Sequence, residues 1–481
     1  MAGKKRSLAV NAVLNCLRVC SNIIIPLISF PWLTRVLHAE NFGKVSFCSS
    51  LVAWFVLAAG LGIGAYSIRE GARLRENREK LSRFCDEIFT INLFSAALAY
   101  GLLAAFLLIW RPGGDYPYII AVLSVGILGG TLSFDWLPNV MEDFRFITVR
   151  VVSIQFLALC AIFAFVRRPE DYVIYAWITA ASSIASAALN FAYARRNIRI
   201  VPAWNFDWKS RLRPILILFG NALMISIYLQ SDITMLGFFR GEREVGLYKI
   251  PVQIYSAVKT MLNAITVVAV PRMSLYLSAD RKEDYHKLAS MILSCLAYLC
   301  IPAMLGLCLI AENCVLLIGG NEYVSSTPAL RILCLALVAA VFGNFYVNAV
   351  LIVHRREKSA FTATVVSALV NIVLNLALIP AVGFVGAALT TLAAEIVVVT
   401  LLAYFSRAYV RVWPDRKVIA PMCMGSALIL LSCRFVDGLQ LNLAPDTALK
   451  IALSVLAYGM VTGVAAAFAV AGKRRRKQER M

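Results

Sequence analysis

Long apolar segments recur along the whole chain, and they restrict the possible folds more than any other feature. Each runs for roughly 20 residues, the length of a helix that crosses a hydrocarbon core about 30 Å thick. Because 60% of the 481 residues are hydrophobic and only 15% are charged, no stretch remains that could fold alone as a large soluble domain. The sequence therefore predicts an all-α membrane protein with about fourteen transmembrane helices, at 9–33, 45–66, 87–110, 117–138, 149–166, 172–193, 213–236, 247–270, 288–311, 327–351, 362–380, 384–405, 418–433 and 448–471.

Lysine and arginine are distributed unequally between the two sets of loops. If the N-terminus is cytoplasmic, the cytoplasmic side carries 34 of these residues and the opposite side carries 8. Since positively charged loops are enriched in the cytoplasm, both termini are predicted to be cytoplasmic. The same rule accounts for most of the net charge of +20, so nucleic-acid binding is not indicated. The first segment follows MAGKKRS but has no convincing cleavage site, and is predicted to be retained as a helix.

A weak internal repeat suggests how the helices are grouped. LTRVLHAENFGKVSF at 33–47 has the same layout as TMLGFFRGEREVGLYKI at 234–250: an apolar helix end, a polar turn with an acid, then FG or VG. The offset corresponds to six helices, and transporters are commonly built from such duplicated bundles. We predict an N-terminal lobe at 1–200 with helices 1–6 and a C-terminal lobe at 201–410 with helices 7–12. Residues 411–481 would add helices 13 and 14 and a basic cytoplasmic tail.

Polar residues inside three predicted helices share one face of each helix. Intramembrane polar groups usually face the bundle interior or a wet cavity, although Asn, Ser and Thr also serve contacts between helices. Helical periodicity identifies the candidate cavity residues. They are Asn11, Asn15, Arg18 and Asn22 in the first helix, Asn221, Tyr228 and Asp232 in the seventh, and Lys249, Gln253, Ser256, Lys259 and Asn263 in the eighth. Lys259 is included although it lies beside the polar stripe of the eighth helix. Because the basic residues outnumber Asp232, the predicted pathway is cationic and suits an anionic passenger.

Three acidic residues are candidates for a gate or for ion coupling: Asp135, Asp232 and Glu395. Asp135 lies at the inner end of the fourth helix, where it belongs either to a structural ion-pair cluster at the cytoplasmic surface or to a gate between the lobes. Glu395 is a lone acid in the twelfth helix and is better explained by a bond to a neighbouring helix. Asp232 and Lys249 lie near the outer ends of adjacent helices, so they form a candidate pair that is either structural or closes an outward gate.

Patterns of metal binding and nucleotide hydrolysis are missing from the sequence. The twelve cysteines contain no CxxC and the three histidines are scattered, so no metal site is predicted. There is no GxxxxGK[ST] loop to hold phosphates. No cofactor is predicted, and the energy for transport would come from a proton or sodium gradient, the membrane potential or the passenger's own gradient.

Three stretches resemble Wzx-type flippases, the O-antigen and capsule repeat-unit exporters of the multidrug, oligosaccharidyl-lipid and polysaccharide exporter superfamily. They are FPWLTRVLHAENFGKVSFCSSLVAWFVLAAGLGIGAYSIREGARLREN at 30–77, SFDWLPNVMEDFRFITVR at 133–150 and SDITMLGFFRGEREVGLYKIPVQI at 231–254. The resemblance implies fourteen helices and alternating access across a cationic cavity between the lobes. It carries the family's functional basic residues onto Arg18, Lys249 and Lys259, and its acid onto Asp232.

The same resemblance implies a passenger and a location. The passenger would be an oligosaccharide on undecaprenyl diphosphate, moved from the cytoplasmic to the periplasmic leaflet of the bacterial inner membrane. Membrane lipids and the polymerase and chain-length proteins of the same pathway are the expected partners.

Two other functions are weighed against this one. A multidrug cation antiporter of the same superfamily would favour an acidic pathway. A membrane glycosyl polymerase would need catalytic residues on a sizeable external loop, whereas the external loops here are short, so the chain is not expected to be an enzyme.

Overall fold

The computed structural model describes residues 8–410 and 416–478, and within those ranges the chain forms helices and no β-strand. A π-helical turn, Tyr346–Leu351, follows the twelfth helix. The α-helices are α1 (Leu8–Gly60), α2 (Ile63–Leu74), α3 (Arg78–Trp110), α4 (Tyr116–Leu132), α5 (Trp136–Val140), α6 (Phe144–Phe165), α7 (Tyr172–Asn197), α8 (Trp208–Arg240), α9 (Glu242–Ser278), α10 (Lys282–Leu309), α11 (Ala311–Gly319), α12 (Thr327–Phe345), α13 (Glu357–Val382), α14 (Phe384–Ser406), α15 (Arg416–Asp437) and α16 (Leu443–Gln478).

These helices confirm the prediction of an all-α membrane protein. α1 contains the first predicted segment and most of the second, which runs on past Gly60 into α2. Between the two segments α1 has a kink, where His38 has φ 60° and ψ 171°. Twelve stretches of the described chain are long and apolar enough to cross a bilayer, and the first, Val13–Leu74, includes most of the first segment and all of the second. The predicted fourteenth segment falls within α16. The side of the membrane on which the termini lie stays a prediction.

Short polar side chains fix where several long helices begin. The side chains of Asn77, Asp143 and Asp207 accept hydrogen bonds from the first backbone N–H groups of α3, α6 and α8. α2 begins after a sharp break at Gly62, which has φ 72°, and a Cβ there would lie 2.7 Å from the backbone nitrogen of Phe219 in α8. The break therefore requires a glycine and lets α2 turn away from the axis of α1.

The chain divides into two compact units, residues 1–246 and 247–481. In unit 1, α1 packs against α3, α4 and α6. The segment between α7 and α8 is bound along α3, since the backbone N–H groups of Val201 and Ala203 donate to Asp86 Oδ1 and Thr90 Oγ1 at 2.8 and 2.9 Å. These bonds help to hold the start of α8 in unit 1. These two units are defined by how residues pack, whereas the predicted lobes are defined by the sequence repeat. The predicted lobe boundaries therefore stay a prediction.

In unit 2, α12 packs against α10 and α14, and the α15–α16 hairpin packs against α10. A polar cluster joins the hairpin to α11. Lys450 Nζ lies 2.5 Å from Asp437 Oδ1 and 2.7 Å from Asp446 Oδ2, and Asn313 Nδ2 donates to the same Asp446 oxygen at 2.6 Å. Because Lys450 is buried, these bonds offset its desolvation and anchor the hairpin.

Candidate functional site

The predicted polar stripe of α1 contacts α6 of unit 1 at Asn22. Arg18 Nη2 donates to Asn15 Oδ1 at 2.8 Å, which orients the guanidinium along the helix. One turn further on, Gln155 Nε2 of α6 donates to Asn22 Oδ1 at 2.6 Å. The side chain of Asn11 lies outside the described residues. Sequence reasoning missed Gln155, although a single amide in an otherwise apolar stretch is itself a signal of a polar neighbour.

The predicted residues of α8 differ in exposure. Asn221 is exposed, Tyr228 is half-buried and Asp232 is buried. Asp232 precedes by two residues a contact with α1, in which Thr234 Oγ1 accepts a hydrogen bond of 3.0 Å from Trp54 Nε1. This contact places the acid at the end of α8 that packs against the second half of α1. Asp232 belongs to unit 1 and Lys249 to unit 2, and their pairing stays a prediction.

The two copies of the repeat motif contact each other within unit 1 through equivalent residues. A Cβ on Gly43 would lie 1.8 Å from the carbonyl oxygen of Glu242, and a Cβ on Gly246 would lie 1.9 Å from the carbonyl oxygen of Ala39. Gly246 follows Gly43 by 203 residues, and Glu242 follows Ala39 by the same number. The contact is therefore reciprocal, as in a twofold interface where the same pair of positions meets twice. Only glycine allows the two backbones to approach this closely.

α9 carries two polar faces rather than one. The predicted stripe is partly exposed along its length and contains Lys249, Gln253, Ser256 and Asn263. A second face packs against α14 in unit 2, where Tyr248 OH lies 3.3 Å from Thr391 Oγ1. Lys259 lies on this second face. The structure thus separates Lys259 from the other predicted cavity residues of the helix.

Lys259 forms an ion pair with Glu395 of α14. Its Nζ lies 3.1 Å from Glu395 Oε1, and Tyr255 OH donates to the same oxygen at 2.8 Å. Glu395 is only 3% exposed, so the lysine and the tyrosine together replace the water that a carboxylate would otherwise bind. Sequence reasoning named both charged residues but assigned them separate roles, and it missed Tyr255.

This pair changes the charge of the predicted pathway. Lys259 is compensated, so it contributes little net positive charge. Among the side chains that the structure describes, neither Arg18 nor Lys249 forms an ion pair. These two residues are therefore the uncompensated cations of the predicted lining, and each lies in a membrane-spanning helix. An anion that reached them would gain charge-assisted hydrogen bonds.

Asp135 belongs to a polar cluster in unit 1 that joins three elements. Its Oδ1 lies 3.0 Å from Arg150 Nη1 of α6, and it accepts a hydrogen bond from Asn190 Nδ2 of α7. Arg150 also donates to Ser186 Oγ. The guanidinium is buried whereas the carboxylate side chain is 62% exposed. The arrangement is a positioned carboxylate at the surface, and whether it acts as a gate stays a prediction.

No cluster of three or more His, Cys, Asp or Glu side chains suited to a metal ion occurs in the described part of the chain. The fold and its intramembrane charges define a multi-pass α-helical membrane protein with polar groups held between its helices. The chain belongs to the family described as polysaccharide biosynthesis protein, which it matches over residues 8–277.

Several known proteins are similar to the chain in sequence or in fold. It is 23% identical to a protein of Escherichia coli (strain K12) named "Putative O-antigen transporter", over 85% of this chain and 98% of the relative. The fold is similar to that of the lipid II flippase MurJ in an inward closed conformation, with a TM-score of 0.75, 14% identity, and 95% and 100% of the two chains covered. A multidrug resistance MATE transporter in an outward-facing conformation is less similar, with a TM-score of 0.56, 16% identity, and 83% and 94% covered.

Proposed function

We propose that the protein is a flippase for lipid-linked oligosaccharides, with undecaprenyl-diphosphate-linked repeat units as the passenger. The observation that carries the proposal is that two membrane-spanning helices of a chain in the polysaccharide biosynthesis family each hold an uncompensated cation, Arg18 in one and Lys249 in the other. A diphosphate has to leave water to cross the bilayer, and its charge is then stabilised only by groups such as these. The neutral amides Asn15, bonded to Arg18, and Asn22, bonded to Gln155, are suited to the hydroxyl groups of the sugars.

Related proteins support transport rather than bond formation. The relative from Escherichia coli is named for O-antigen transport, and the solved structure of similar fold is that of a lipid II flippase. Both names describe proteins that move another molecule and do not name a reaction that forms a bond. A cation antiporter would favour a lining with excess acid, whereas Glu395 and Asp135 are each paired with a base here.

The proposal includes a location, a direction and an energy source. The protein would act in the bacterial inner membrane by alternating access, carrying repeat units from the cytoplasmic to the periplasmic leaflet. Polymerase and chain-length proteins of the same pathway would use its product. Coupling to a proton or sodium gradient would run through Asp135, Asp232 or Glu395. The two ion-paired acids, Asp135 and Glu395, would release their partners on protonation.

Complementation in a host that lacks its own repeat-unit flippase tests this proposal. Arg18→Gln and Lys249→Gln are expected to abolish surface polysaccharide at unchanged protein level, because each removes a cation that faces the diphosphate. Arg331→Gln is the matched control, since Arg331 is exposed at the start of α12. Full surface polysaccharide in both test variants would refute the proposed role of these cations. Resistance to cationic dyes without polysaccharide transport would instead identify a multidrug antiporter.

A further inference from the structure

A small cavity lies in unit 1 where α4 leads into α5. Its volume is about 200 Å³, below the roughly 300–1,000 Å³ of pockets for drug-sized ligands and close to that of one sugar ring with its hydroxyl groups. The ends of α1 and α4, the first turn of α2 and the middle of α3 surround it. By the predicted topology the cavity lies toward the cytoplasm, the side from which a repeat unit would be loaded.

Three glycines form part of its wall: Gly60, Gly64 and Gly130. In the described part of the chain, a Cβ added at any of them would meet no heavy atom of another element within 4 Å. Their neighbour Gly129 is different, because a Cβ there would lie 2.7 Å from Ser183 Oγ of α7. Helix packing therefore explains Gly129 but not the three wall glycines. Their missing side chains leave space that belongs to the cavity.

The wall combines aromatic rings with polar groups. The ring centroids of Phe89 and Trp136 lie 5.7 and 6.1 Å from that of Phe134, so the three rings form a continuous apolar surface. Such a surface packs against the C–H face of a sugar ring. Asn92 and Asp135 supply polar groups beside it. Because both bonds that position Asp135 are made to Oδ1 and its side chain remains largely exposed, the carboxylate can still accept a hydrogen bond from a ligand hydroxyl.

Charge and polarity distinguish this ligand from other small molecules. A carboxylate beside aromatic rings also suits an organic cation. Arg150 already compensates Asp135 at 3.0 Å, however, so the site offers no excess negative charge. Asn92 is already bonded to Thr131 O and Ser95 Oγ, but a lipid chain would cover the second carboxylate oxygen of Asp135 without replacing its water, which is unfavourable. An uncharged polyol with one apolar face satisfies every part of the wall.

We propose that this cavity is a subsite for one uncharged pyranose ring of the oligosaccharide passenger, held before the diphosphate enters the pathway. The assignment of the ring to the passenger rests on the proposed function. A small ligand of this kind binds with an affinity on the order of millimolar. The cavity would therefore contribute to the choice of passenger more than to its overall affinity.

Binding of methyl glycosides to the full chain in detergent tests the subsite directly. The probes are the methyl glycosides of glucose, galactose, mannose and N-acetylglucosamine, followed by ligand-observed NMR. Gly130→Leu and Gly64→Leu fill the cavity from two different helices, α4 and α2, and each is expected to weaken binding by about tenfold or more. Gly101→Leu is the matched control, since Gly101 also faces open space but lies on α3 away from the cavity. Thermal melting of each variant shows that it is folded.

The outcomes separate the subsite from the flippase proposal. Binding of at least one glycoside that both cavity variants lose and the control keeps would support the subsite, even if the protein moved no lipid in vesicles. Binding that the folded cavity variants retain would overturn it. The subsite would also be overturned if none of the four glycosides bound, or if the protein bound tetramethylammonium more tightly than the glycosides. In either case, normal flipping of repeat units would still support the proposed function.

Discussion

The reciprocal glycine contact gives the sharpest structural prediction. Gly43→Ala would place a methyl carbon 1.8 Å from the carbonyl oxygen of Glu242, and Gly246→Ala would place one 1.9 Å from that of Ala39. Ordinary contact begins near 3.4 Å, so either substitution requires the two backbones to separate by about 1.5 Å. Overpacking of this kind costs about 1–3 kcal/mol. The higher helix propensity of alanine offsets up to about 1 kcal/mol of that.

We therefore expect each single variant to be less stable by on the order of 1–2 kcal/mol and to melt at a lower temperature in detergent. Because both methyl groups push apart the same two backbones, the double variant should lose less than the sum of the single losses. Surface polysaccharide in the complementation assay should fall in all three variants, since the two repeat motifs can no longer pack as closely.

Gly101→Ala is the matched control for these variants. It has open space around its Cβ and should gain slightly in stability from helix propensity. Melting temperatures equal to that of the wild type for both Gly43→Ala and Gly246→Ala would refute the reasoning, because the contact would then have room for a methyl group. Fully additive losses would show that the two glycines belong to separate contacts.

Three further predictions concern charged groups. Glu395→Gln should lower the melting temperature, because removing one partner of a buried ion pair costs about 3–5 kcal/mol. A double variant with Lys259→Met and Glu395→Gln should recover much of that loss. If the double variant recovers none of it, the two residues are not paired. Glu87→Gln removes the carboxylate that accepts a 2.8 Å hydrogen bond from Arg211 Nε. We expect the segment between α7 and α8 to become sensitive to limited proteolysis in this variant. A cleavage pattern like that of the wild type would contradict this prediction. Burial lowers the pKa of His354, in the loop between α12 and α13, below its usual value of 6.5. The unfolded chain therefore binds this proton first as the pH falls, so stability is retained above pH 6.5 and decreases below it. His354→Gln should flatten that decrease in melting temperature, and an unchanged pH profile would assign it to other groups.

The helices were predictable because membrane-spanning segments are local features. Each depends on about 20 consecutive residues, and every predicted segment falls largely on helical residues of the structure. The segments 45–66, 117–138 and 288–311 each run across a break between two helices. The short helix α2 was not predicted as a separate element, since it begins at a break set by Gly62 against Phe219, more than 150 residues away. Local patterns do not contain such distant contacts.

The interaction partners of the charged residues could also not be predicted from local sequence patterns. Lys259 lies ten residues after Lys249, which at 100° per residue turns it roughly 80° away from the polar stripe. Although Lys259 was predicted to lie beside the stripe, that angle could have excluded it from the candidate cavity residues. The identity of its partner could not be derived in this way, because Glu395 follows Lys259 by 136 residues and the two meet only once α9 packs on α14.

Translocation in sealed vesicles tests the central claim most directly. The purified protein would be reconstituted with a fluorescent oligosaccharide on undecaprenyl diphosphate, and the fraction that becomes accessible to an external glycosidase would be followed over time. We expect wild-type protein to translocate the lipid, and Arg18→Gln and Lys249→Gln to be reduced toward the level of protein-free vesicles. Equal translocation by the wild type and both variants, or none above protein-free vesicles for the wild type, would contradict the account.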